Sequence, residues 1–353
     1  MEITLWLTYM CNLNCTYCYE GSEKKNLHMN METAKKAIEY VSNRISEVEQ
    51  GENVNINLHG GEPLLNFEVL AYIMRKLKKI KDQYQDKINI SISLTTNAVL
   101  LNEEILKILI ENIDYLAISI DGDIESHDCN RVFHNGEGSF HIVEKNAKMA
   151  LQFEPEITAR MTITPQTVAN LFENTKFLHE LGFIHIASVI NQYDPTWKKK
   201  HMNILNEQIE KMSNYQVEQE QAGKRVHLSM VREMEFRRKS FCLGGEKTIH
   251  ISPDGCIYPC SHVVGDEKFN LGDVKNGIIE ERLDFIREIN SQKVERCDAC
   301  KWSEICYGVR CKLINYAMTG DFLTPSPVTC MNEHCLMQGY EYYCNLKDKL
   351  CET

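Results

Sequence analysis

Three cysteines fall within eight residues in the stretch "MCNLNCTYCYE" (residues 10–20): Cys11, Cys15 and Cys18. The spacing Cys-x3-Cys-x2-Cys gathers three thiols on one short loop, which in a leaderless chain suits metal binding better than disulfide bonding. Structural zinc takes four ligands, and His28 is the only nearby side chain that could complete the set. A 4Fe-4S cubane also takes four ligands, one per iron, so three thiolates leave one iron open to a ligand that is not protein. A zinc site completed at long range, or incidental buried thiols, are the alternatives.

The chain holds fifteen cysteines, and eleven of them follow residue 240. "CLGGEKTIHISPDGCIYPC" carries Cys242, Cys256 and Cys260, and "CDACKWSEICYGVRC" carries Cys297, Cys300, Cys306 and Cys311. Cys330, Cys335, Cys344 and Cys351 come after them. On spacing alone, two four-thiolate zinc sites remain open for this region beside iron-sulfur clusters.

The elements that must position these groups are legible in the alternation of short β-branched runs with helical patterns. Strands are predicted at Ile3 to Thr8, Val54 to Leu58, Ile88 to Thr95, Tyr115 to Ile120, Ile157 to Thr164 and Phe183 to Ile190. Between them, "NFEVLAYIMRKLKKIK" and "NEEILKILIEN" repeat apolar residues at helical spacing, each opening on an asparagine that could cap. Six βα units imply a parallel sheet curving into a barrel or partial barrel. Residues 198–223 read as a polar helical connector. The remainder reads as a small sheet or hairpin with helices and loops organised by metal, giving an expected division into 1–225 and 226–353.

Composition narrows the partners. A net charge of −11 argues against a nucleic-acid binder and favours a small or peptidic partner. No apolar run reaches the roughly 18 to 20 residues of a membrane span, and "MEITLWLTYM" lacks the features of a signal peptide. The expectation is a cytoplasmic protein without membrane contact.

The opening cysteine spacing, with Tyr17 before the third cysteine, resembles the signature of the radical S-adenosylmethionine (SAM) enzymes. The resemblance implies a partial (β/α)6 barrel in which SAM chelates the open iron through its amino and carboxylate groups. Reductive cleavage of SAM then yields a 5'-deoxyadenosyl radical that takes a hydrogen atom from substrate. "HGGEP" (59–63) resembles the family's GGE motif, implying that Gly60, Gly61 and Glu62 receive the SAM amino group. "LTTNA" with Asn97 and "SIDG" with Ser119 and Asp121 end the third and fourth strands, where a parallel barrel places its site. "HDCNRVFHNGEGSF" (127–140) resembles a segment of the sulfatase-maturase and peptide-modifying subgroup, implying that Arg131 reaches the SAM carboxylate. A surface ion pair is the plainer reading of Arg131, and Cys129 has no counterpart.

The second cysteine block resembles the SPASM extension, which carries two auxiliary 4Fe-4S clusters, so the resemblance implies three clusters in all. Cys242, Cys260 and Cys311 would serve the first auxiliary cluster, with Cys256 or an open iron as its fourth position. Cys297, Cys300, Cys306 and Cys330 would serve the second, with Cys335 able to replace Cys330. The interval "YGVR" before Cys311 is one residue longer than usual.

The implied function is an oxidoreductase maturase of a ribosomally made precursor peptide. Two redox-capable clusters suit oxidative thioether or carbon-carbon cross-linking, because a closed-shell product requires an electron to leave. An external electron donor of flavodoxin or ferredoxin type is implied. Only ten residues precede Cys11, so a separate protein could supply leader binding. Sulfatase maturation is the alternative. It is weakened by Ser261, which stands where those enzymes carry a general-base aspartate, although Asp254, Tyr258 and His262 lie near enough to replace it. A non-catalytic iron-sulfur electron carrier or metal-organised binding protein would need the cysteines but neither "GGEP" nor Arg131.

Overall fold

The computed structural model describes residues 1–20, 26–237, 239 and 241–351. Six strands lie parallel in sequence order: β1 (Glu2–Trp6), β2 (Asn53–His59), β3 (Asn89–Thr96), β4 (Tyr115–Ser119), β5 (Thr158–Ile163) and β6 (His185–Ile190). Six helices lie between successive strands: α1 (Met31–Ser46), α2 (Phe67–Tyr84), α3 (Glu103–Asn112), α4 (Ile124–Asp128), α5 (Phe140–Phe153) and α6 (Leu171–Leu181).

Alternation along the strands separates a packed face from a polar one. Ile3, Leu5, Val54, Ile56, Leu58, Ile90, Ile92, Leu94, Ile118, Ala159 and Met161 are buried and join one core cluster with buried residues of the helices. The opposite face is polar: Ser91 donates to Asn55 at 2.8 Å, and Ser93 donates to Asn57. One face packs against the helices and the other carries polar side chains, which suits a hollow that can hold a ligand. β1 and β6 do not pair with each other, which leaves the barrel incomplete.

After β6, α7 (Lys199–Gln221), β7 (His227–Leu228) and α8 (Ser229–Phe236) follow, with β7 extending the sheet beyond β6. The stretch expected as a polar connector is a packing helix. Met202, Leu205, Ile209, Met212 and Val217 of α7 are buried, and α12 (Pro327–Cys351) lies along it. Gln216 of α7 donates to Val226 O and accepts from Leu228 N, joining the helix to β7.

The cysteine-rich region adds its strands to the same sheet. β8 (Thr248–Ile251) runs parallel to β1, and β9 (Cys256–Tyr258), β10 (Gly272–Asp273) and β11 (Gly277–Ile278) continue outward, making eleven strands among the described residues. The physical reason is the unpaired edge that β1 would otherwise present. The short helices α9 (Glu280–Ser291), α10 (Tyr307–Arg310) and α11 (Lys312–Thr319) carry or flank the later cysteines.

The two capping asparagines differ. Asn102 caps α3 by accepting from Ile105 N at 2.9 Å. Asn66 makes no cap, because its amide donates to Leu7 O and Met29 O and fixes the chain leaving β1.

Candidate active site

The cysteine loop leaves the C-terminal end of β1 and is held from both sides. Gly61 N donates to Thr8 O at 2.9 Å and Glu62 N to Met10 O at 2.8 Å. On the other side, Asn14 N and Thr16 N donate to Val132 O and Asn130 O, and His134 Nε2 lies 2.9 Å from Cys11 O. The approach to the glycines is close: a Cβ at Gly61 would lie 2.3 Å from Met10 O. The glycine pair thus does local work for the cysteine loop itself.

Glu62 is buried, and its carboxylate accepts from Leu64 N (3.1 Å), Thr96 Oγ1 (2.8 Å) and Asn97 N (2.7 Å). Burial outweighs these donors and pushes its pKa up to about 7. Three bonds leave one of about four acceptor positions for a ligand. The Asn97 side chain reaches the loop, donating to Asn12 Oδ1 at 2.7 Å and approaching Cys11 Sγ at 3.6 Å.

Asp121 anchors the other wall. It is buried, accepts from Thr162 N at 2.9 Å and from Tyr17 OH, and pairs with Arg131 Nε at 3.0 Å. The Arg131 guanidinium also lies 5.3 Å from the centre of the Tyr17 ring. Burial alone would lower the Arg131 pKa, but Asp121 outweighs it and holds the cation above its usual value. Arg131 is therefore a buried, oriented cation, and the surface-pair reading does not describe it.

Cys11, Cys15, Tyr17, Cys18, Gly60, Gly61, Glu62, Asn97, Ser119 and Arg131 all line one cavity of about 570 Å3, and Asp121 stands behind its wall. Tyr19, His59, Arg160, Thr162 and Tyr193 also line it and were not assigned as site residues from sequence, whereas His262, named there as a possible proton acceptor, lines it too. A signal for two of them was present in β5, where Thr158, Arg160 and Thr162 alternate with apolar Ala159, Met161 and Ile163. Arg160 is the register partner of Ser119. Tyr19 OH lies 2.8 Å from His59 Nε2, and Tyr193 OH lies 2.5 Å from His262 Nδ1. Of Asp254, Tyr258 and His262, His262 alone lines this cavity; Asp254 instead accepts from Ser252.

The later cysteines separate into two neighbourhoods. Burial raises the Cys260 thiol, with Cys311 and Cys242 adding to the effect, and pushes Cys311 up to about 11 with Cys242 beside it. The same trio lines a cavity of about 540 Å3 that shares Cys311, Tyr307 and His262 with the central one. Elsewhere, burial and then Cys330 and Cys300 raise Cys297, while burial and Glu333 push Cys306 up to about 11, with Cys330 also contributing. Cys256 stands apart from the trio, facing Asp254 and Asn270, and does not line its cavity. Cys335 is buried and directs its thiol to Met202 O of α7. Cys129 is exposed, and the side chain of Cys351 lies outside the described residues.

The donor set fits an iron-sulfur cluster with SAM. Thiols brought together in poorly solvated surroundings favour a bound cation that stabilises their thiolates. Among the described residues no three Cys, His, Asp or Glu side chains converge as one metal ion requires, a convergence that a cubane binding each thiolate at a separate iron does not need. Glu62 and Arg131 offer opposite charges to the two ends of an amino-acid head group. Asn12 Nδ2, next to Cys11, is a buried donor with no acceptor among the described residues.

Comparison with known proteins agrees with this geometry. The model of the Radical SAM superfamily matches residues 7–178. The chain is 30% identical over 272 residues to an uncharacterized protein of Methanocaldococcus jannaschii, covering 75% of this chain and 86% of that protein. It is 27% identical over 321 residues to a cysteine-type anaerobic sulfatase-maturating enzyme of Clostridium perfringens, covering 84% and 85%. The solved structure described as native anSMEcpe with bound AdoMet and Cp18Cys peptide superposes with a TM-score of 0.80 at 21% identity, covering 99% of each chain. The chain belongs to the radical SAM superfamily, and its partial barrel and C-terminal extension share the fold of that structure. Among the described residues no helix is long and apolar enough to cross a membrane.

Proposed function

We propose that this protein is a radical SAM maturase that oxidatively modifies a peptide, forming a thioether or carbon-carbon cross-link in a ribosomally made precursor. The observation that carries the reading is the single cavity in which the loop cysteines, Glu62, Ser119 and Arg131 meet Cys311 of the cysteine-rich region. Cys11, Cys15 and Cys18 would hold the SAM-binding cluster, Cys242, Cys260 and Cys311 a first auxiliary cluster, and Cys297, Cys300, Cys306 and Cys330 a second. When bound, these groups supply a hydrogen-abstracting radical and acceptors for the electron that substrate gives up.

The chain's own residues do the rest. Glu62 receives the SAM ammonium through its remaining acceptor position, and Arg131, fixed by Asp121 and Tyr17, orients the SAM carboxylate. The cluster of Tyr19, His59, Tyr193 and His262 forms the wall between SAM and the auxiliary region, where a peptide side chain would lie. An external electron donor of flavodoxin or ferredoxin type and a separate leader-binding protein complete the scheme.

Sulfatase maturation is the second reading, favoured by the Clostridium perfringens relative and by the peptide in the superposed structure. In that case His262, hydrogen-bonded to Tyr193, is the side chain placed to replace the aspartate absent at Ser261. Mass spectrometry of cysteine-containing peptides after anaerobic turnover separates the readings. Cross-linking removes two hydrogen atoms and keeps the sulfur, whereas formylglycine formation from cysteine expels the sulfur. SAM cleavage without change in any peptide, across precursor and sulfatase sequences, would refute both.

A further inference from the structure

Lys312 is 6% exposed and begins α11, directly after Cys311. Its ammonium donates to Val309 O, and no carboxylate pairs with it among the described residues. A buried cation with one carbonyl partner is costly unless an anion compensates it. Burial lowers the Lys312 pKa, and thiols from both cysteine neighbourhoods, Cys242 and Cys311 of one and Cys297 of the other, act against that shift. Lys312 and Cys297 also line one further cavity, where Lys239 pairs with Glu304 and Lys293 with Asp298, so those carboxylates are already engaged.

We propose that Lys312 is a positioning residue set between the two auxiliary clusters, and that its charge favours their reduced state. The inference rests on the two-cluster reading above. A thiolate-bound 4Fe-4S cluster is a net anion and becomes more negative on accepting an electron. A fixed cation in poorly solvated surroundings therefore stabilises the reduced form more than the oxidised one. The placement gives both clusters a shared counter-charge and eases uptake of an electron leaving the substrate.

The test uses the full chain with Cys11, Cys15 and Cys18 changed to alanine, so that auxiliary signals are read alone. Iron is counted after anaerobic reconstitution, and potentials are measured by redox titration followed by electron paramagnetic resonance. Lys312→Met is expected to lower the reduction equilibrium of at least one cluster tenfold, which is about 59 mV for one electron, while Lys312→Arg stays near the parent value. Unchanged potentials in Lys312→Met at full iron content overturn the proposal. If Lys312→Met loses iron and Lys312→Arg retains it, the charge is required to hold the clusters and the proposal stands. Loss of iron in both variants marks a packing role and overturns it. Absence of iron from the parent itself defeats the two-cluster reading, and the inference falls with it.

Discussion

Alanine at Gly61 tests whether the glycine pair exists to seat the cysteine loop. The added Cβ would lie 2.3 Å from Met10 O, 2.6 Å from Met10 C and 2.7 Å from Tyr9 O, all of them backbone atoms that cannot swing aside. Real Cβ contacts essentially never fall under 3.0 Å, so the loop must retreat by about 0.7 Å or more. That retreat strains the bonds from Gly61 N to Thr8 O and from Glu62 N to Met10 O, one residue before Cys11. A misplacement near 1 Å costs a reacting geometry about 100-fold, so 5'-deoxyadenosine formation in Gly61→Ala should fall by roughly 10- to 100-fold. The assay is anaerobic reconstitution, an iron count, and chromatographic quantitation of 5'-deoxyadenosine under excess reductant. If iron content falls as well, the loop has moved too far to assemble its cluster, which agrees with the same geometry. Activity within about twofold of wild type would refute the reasoning.

Asp121→Asn strands the buried Arg131 and should destabilise the protein by about 3–5 kcal/mol in urea unfolding; a loss under about 0.5 kcal/mol would contradict the buried pair. SAM binding should weaken as pH falls through about 7, where Glu62 takes up a proton, and Glu62→Gln should flatten that profile when binding is measured by equilibrium dialysis. Stability has the opposite sign. Burial favours the neutral acid in the folded state, so this group's contribution is lost as pH rises through about 7, and an unfolding series from pH 5 to 8 should show it against Glu62→Gln. Cys256→Ser should keep the wild-type iron count while Cys311→Ser loses up to about four irons per chain; equal losses would place Cys256 among the ligands.

The barrel was legible because each strand carries its own evidence. The six predicted strands lie within about two residues of β1 to β6, since alternation of polar and apolar side chains records which face meets the helices. The site was legible where chemistry is concentrated in short motifs, as in the cysteine loop, "HGGEP" and "HDCNRVFHNGEGSF". What escaped depends on contacts distant in sequence. Tyr193 and His262 are 69 residues apart and meet only because β8 joins the edge of β1 and carries the C-terminal region over the barrel mouth. Asn66 looked like a cap, yet it spends its amide on Leu7 and Met29, partners that only the folded barrel supplies. Cys256 shares a short sequence block with Cys260 but turns to Asp254 and Asn270, and because β9 ends at Tyr258 the strand's alternation does not carry through to Cys260.

The central claim is that the loop cysteines, Glu62 and Arg131 form one site for SAM and its reducing cluster. The direct measurement is 5'-deoxyadenosine formation by the anaerobically reconstituted wild-type chain beside a Cys11→Ala, Cys15→Ala, Cys18→Ala variant, with iron counted in both. The account predicts about twelve irons and SAM cleavage in the wild type, with about four irons fewer and no cleavage in the variant. Zinc in place of iron, or a full iron count with no SAM cleavage under any of several reductants, would contradict it.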